Sequence, residues 1–140
     1  MKTKLTSLAL IASLFAFGDP VPPLTISGTF YIGSGATVYA DLPVVITNAG
    51  IENHGLLVLN NGITGAELLQ MESDGSLELN AGTLTLSNES DEAFLNLTIG
   101  AGAVVEVTPG NSLTLTGDLT NNNTTDGIKL LADNTGYAQL

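Results

Sequence analysis

The chain has 140 residues, 14 acidic side chains against three basic ones, no cysteine and a net charge of −11. A surface this acidic repels phosphate backbones and anionic lipid, and the missing cysteine excludes disulfide staples, thiolate metal sites, a cysteine nucleophile and a lipid-acceptor cysteine. Hydrophobic residues make up 44% and charged ones 12%, a balance that argues for a packed domain rather than disorder.

Lys2 and Lys4 precede an apolar run from Leu5 to Phe17, and Ala16-Phe17-Gly18 presents small residues at a cleavage point. The run is shorter than the roughly 20 apolar residues that span a bilayer, so the pattern predicts a cleavable signal peptide over residues 1–18 and no membrane insertion afterwards. Its removal leaves Lys129 as the one strong base against 14 carboxylates, a formal charge of −13. Residues 19–23, DPVPP, read as a Pro-rich linker, because proline fixes φ and donates nothing to a β-ladder.

Residues 24–140 read as one repeat domain. The octapeptides GLLVLNNG (55–62) and GSLELNAG (75–82) agree at five of eight positions with an offset of 20. The Leu-x-Leu pair recurs further on, giving the series Leu57, Leu77, Leu95, Leu113 with steps of 20, 18 and 18. A second set of pairs, Leu84-Thr85-Leu86 and Val105-Glu106-Val107, lies between. Alternation with period 2 places these Leu and Val side chains on one face and Glu78, Thr85, Asn96, Glu106 and Thr114 on the other. Asn80-Ala81-Gly82, Gly100-Ala101-Gly102 and Pro109-Gly110-Asn111 supply the turn chemistry between strands.

Motifs of like chemistry at nearly fixed intervals favour an all-β, right-handed parallel β-helix (a β-solenoid) of about six coils over an antiparallel sandwich. Asn60 and Asn80 hold equivalent places in successive coils, either as rungs of an amide ladder or as two independent turn residues. The acidic stretch from Ser87 to Phe94 reads as a loop projecting from one side.

Two carboxylate groupings could serve glycoside hydrolysis: Asp74 with Glu78, and Glu89 with Asp91 and Glu92. Neither has a neighbouring apolar or aromatic sugar platform, arginine is absent, and His54 has no Ser or Cys partner at a motif spacing. No catalytic residue is therefore expected, and His54 reads as a turn residue. Glu89, Asp91 and Glu92 supply the hard oxygens that calcium takes. They match neither an EF-hand loop nor a β-roll repeat, so no cofactor is expected and these three stand as calcium candidates alone.

The closing segments NSLTLTGDLTNN (111–122) and GIKLLADNTGYAQL (127–140) resemble the repeats of large secreted or outer-surface proteins of Bacteroidetes. Such proteins are adhesin-like β-solenoids that commonly end in a sorting domain for type IX secretion. The resemblance implies a secreted or cell-surface structural, adhesin-like segment without catalysis, with surface glycans or other cell-surface proteins as partners and no nucleic-acid partner. It also implies that the chain is an N-terminal fragment whose repeat domain is cut short, and exposed solenoid ends are expected to self-associate. The alternative reading is the non-catalytic N-terminal part of a carbohydrate-active β-helix enzyme.

Overall fold

A computed structural model describes residues 21–47, 50–64, 69–71, 74–87 and 91–132; the expected signal peptide and residues 19 and 20 lie outside the described residues. Short alternating runs of Val, Ile, Leu and Phe form strands that stack into columns. One column holds β1 (Leu24–Ile26), β4 (Val44–Ile46) and β7 (Ile63–Thr64), and a second holds β2 (Phe30–Ile32), β5 (Ile51–Asn53) and β8 (Leu69–Met71). A third holds β3 (Thr37–Ala40), β6 (Leu56–Leu59), β9 (Ser76–Leu86), β11 (Leu97–Val107) and β13 (Leu119–Asn121). Strand β10 (Asp91–Phe94) pairs with β12 (Ser112–Leu115), and β14 (Ile128–Leu130) pairs with the last part of β11.

Every pairing among the described strands is parallel. The chain visits the columns in turn and returns one level along, which is the path of a β-solenoid and not of a sandwich. The five strands of the third column give four successive steps, so the described residues make about four turns. The expected count of about six spans residues 24–140, of which 133–140 lie outside the described residues.

Register runs Val38↔Leu57↔Leu77↔Leu97↔Leu119, at 19, 20, 20 and 22 residues per turn. The expected Leu57–Leu77 match holds, as does the match of Leu84 and Leu86 with Val105 and Val107. The series then departs from expectation. Leu97, fully buried, continues the column, whereas Leu95 sits at a corner, 38% exposed, and Leu113 lies opposite Glu92 in another sheet. A Leu-x-Leu pair satisfies period 2 wherever an inward-facing pair occurs, so it does not by itself say which column it belongs to.

The interior is a continuous apolar stack in which Leu59, Leu79, Leu84, Leu86, Phe94, Leu97, Ile99, Val105 and Val107 are all fully buried. Each such side chain contributes about 1.5–3 kcal/mol by its removal from water. The presence of Phe94 here corrects the reading of Ser87–Phe94 as a projecting loop: residues 91–94 are strand, because the stack needs an apolar side chain at that level.

Two of the expected turns are bends inside long strands. Strands β9 and β11 run on through Asn80–Gly82 and Gly100–Gly102, and a register shift between Ile99 and Gly102 absorbs an extra residue. Gly82 has φ +81°, and a Cβ there would come within 2.9 Å of the Gly62 Cα on the turn before. Only glycine combines that backbone with that approach. Beside this corner Asn80 Nδ2 donates to Asn60 Oδ1 at 2.8 Å, and Asn60 Nδ2 donates to Asp41 Oδ1 at 2.6 Å. The asparagines thus form the ladder rather than two independent turns, and Asp41 extends it.

Glu78, Thr85 and Glu106 are half-buried on outward faces and Thr114 is exposed. Asn96 lies at a corner instead of on a strand face; its Oδ1 accepts from the Asp118 N–H at 2.9 Å. At the N-terminal end of the stack the inward side chains of Leu24, Ile26, Phe30 and Val38 are half-buried and border an apolar cavity of about 280 Å³.

Candidate functional site

A two-residue corner, His54 and Gly55, joins β5 to β6. Asn53 turns inward and is fully buried; its Oδ1 accepts from the Gly55 N–H at 3.0 Å and its Nδ2 donates to the Ser76 carbonyl at 3.0 Å. This side-chain turn fixes the bend and binds it to the next turn of the solenoid. The His54 N–H donates to the Ile32 carbonyl of the turn before at 2.8 Å. With Asn53 inward, alternation sends Glu52 and His54 outward together.

Stacking brings more groups to the same place. His54 Nδ1 lies 2.9 Å from Asp74 Oδ1, 20 residues further along and one turn away, and His54 Nε2 lies 3.3 Å from Glu52 Oε1. Tyr31, paired with Glu52 in the β2–β5 register and 53% exposed, sets its ring centroid 5.4 Å from the imidazole with the planes tilted by 47°. The cluster Tyr31–Glu52–His54–Asp74 therefore spans three consecutive turns. The other basic side chain among the described residues, Lys129, lies 3.8 Å from Glu106 on the paired position of β11.

Asp74 and Glu78 do not act as a pair: Asp74 meets His54, and Glu78 Oε1 accepts from Asn80 Nδ2 at 2.9 Å. The Tyr31 ring lies against the histidine that meets Asp74. Glu89 lies outside the described residues; Asp91 and Glu92 lie in β10, opposite Ser112 and Leu113, and not in a loop. Among the described residues no three His, Cys, Asp or Glu side chains are grouped so as to hold a metal ion.

Chemically, the imidazole is held with a carboxylate oxygen at each of its two nitrogens. The signal for this cluster was present in the sequence: an offset of 20 carries His54 onto Asp74, the same offset that carries Leu57 onto Leu77. No protein-family model, curated protein or solved structure matches the chain.

Proposed function

We propose that the chain is a structural, adhesin-like β-solenoid segment that works as a rigid, elongated surface at the outside of a cell and carries out no chemistry. The observation that supports this most is the parallel pairing carried from β3 through β6, β9 and β11 to β13, the stacking expected of an elongated repeat surface. The full reading is a right-handed solenoid of about six coils over residues 24–140, following a signal peptide, in a secreted or outer-surface protein of the Bacteroidetes type IX kind. Its partners are surface glycans or cell-surface proteins, and its ends favour self-association.

The purified chain, with its far-ultraviolet circular dichroism checked for β structure, is tested against immobilised glycans and intact bacterial cells, and its mass is followed by light scattering up to high concentration. Binding or concentration-dependent assembly is expected. A folded chain that stays monomeric and binds no surface overturns the adhesive reading.

A further inference from the structure

The corner at His54 holds more charge chemistry than a turn needs. A neutral imidazole carries one N–H and one lone pair, so it satisfies one of two carboxylate contacts and turns a lone pair toward the other; an imidazolium donates at both nitrogens. His54 has a carboxylate oxygen at each nitrogen, Asp74 at 2.9 Å and Glu52 at 3.3 Å. We infer that His54 is a proton-operated clamp between adjacent turns of the solenoid, closed when its ring carries both protons.

Three independent contacts favour the closed form. Asp74 approaches from the turn preceding β9, Glu52 from β5, and the Tyr31 ring from β2 lies within the range where an aromatic face attracts a cation. These are the titratable groups that face the ring among the described residues. Loss of one proton removes one donor and leaves one of the two carboxylates opposite a ring lone pair, in a chain of net charge −11. The clamp also joins turns that the backbone ladder already binds, so opening it loosens the corner without dissolving the stack.

The sign follows from linkage. A clamp of this kind requires the folded chain to bind the second imidazole proton more tightly than the unfolded chain does. The stabilisation is therefore whole below about pH 6.5, the ordinary histidine value, and is lost as pH rises through the higher folded-state value. The Asp74 side chain is 61% exposed and that of Glu52 38%, so solvent and salt screen the effect and it is modest.

His54 is the single histidine of the chain, so its ring resonances in a proton NMR titration need no assignment. Wild type, His54→Gln, Asp74→Asn and Glu52→Gln are compared from pH 5.5 to 8.5. Wild type is expected to melt a few °C above His54→Gln at pH 6, a gap that closes by pH 8.5, and Asp74→Asn is expected to move the ring titration to lower pH. A gap independent of pH, or a ring titration identical in wild type, Asp74→Asn and Glu52→Gln, overturns the clamp. Should His54→Gln fail to fold, the titration shift in Asp74→Asn decides alone.

Discussion

The first turn of the solenoid and its inner turns are built from the same kind of residue and are buried to different depths. Phe30 and Phe94 both point inward from strands that follow a column, yet Phe94 is fully buried and Phe30 only half-buried beside the end cavity. The strand chemistry is shared; what differs is whether, among the described residues, a coil lies on both sides. In a solenoid each turn gains its burial from its two neighbours, so stability is a sum over interfaces and the turn with one neighbour is the weaker.

That contrast is open to direct attack, beginning where the effect is largest. Phe94→Ala is expected to destabilise the chain by about 3–5 kcal/mol, and Phe30→Ala by less than half as much, because the end cavity already leaves the latter ring partly without partners. Equal losses in urea unfolding would mean that the two turns are equally packed. Next comes Gly75→Ala. A Cβ at Gly75 would collide with the Asn53 carbonyl of the turn before, whereas Gly28 in the first turn has no atom within 4 Å of such a Cβ. We expect Gly75→Ala to cost about 2 kcal/mol or more through the forced shift of a packed corner, and Gly28→Ala to leave the melting temperature nearly unchanged. Smallest is the amide ladder. Asn60→Ala removes one bond given to Asp41 and one received from Asn80, an expected loss of about 1 kcal/mol. Asp41→Ala, at the exposed end of the ladder, is expected to cost less; the reverse order would place the ladder's weight at its end.

The inner turns were also the more legible part of the sequence. Leu57–Leu77 and Leu84–Val105 announce the stack because identical or similar side chains repeat at one interval, and a parallel register demands that. Legibility failed where turn length drifted. From Leu77 a turn of 20 residues ends at Leu97 and not Leu95, and from Leu97 a turn of 22 ends at Leu119, so the steps of 18 to Leu95 and Leu113 miss the column. It failed again at Asp91–Phe94, where polarity suggested a loop; register, not composition, makes that segment a strand. The site was hidden for a different reason: Tyr31, His54 and Asp74 share no motif and meet only because turns of nearly equal length stack them. The corner glycines were visible as turn signals, but that Gly82 bends a continuous strand is a consequence of its contact with Gly62.

A β-solenoid requires parallel strands that rise one spacing per turn, and the absence of native cysteine makes that rise measurable. Outward positions Tyr39, Glu78, Thr98 and Thr120 lie in one register column, two, three and four steps apart counted from Tyr39. With cysteine-linked spin labels at Tyr39 and each of the others in turn, electron paramagnetic resonance is expected to give mean separations that grow by about 4.8 Å per turn, reaching about 19 Å for Tyr39 and Thr120. Separations that fail to rise in that order, or that do not step by one strand spacing between Glu78, Thr98 and Thr120, would contradict the solenoid.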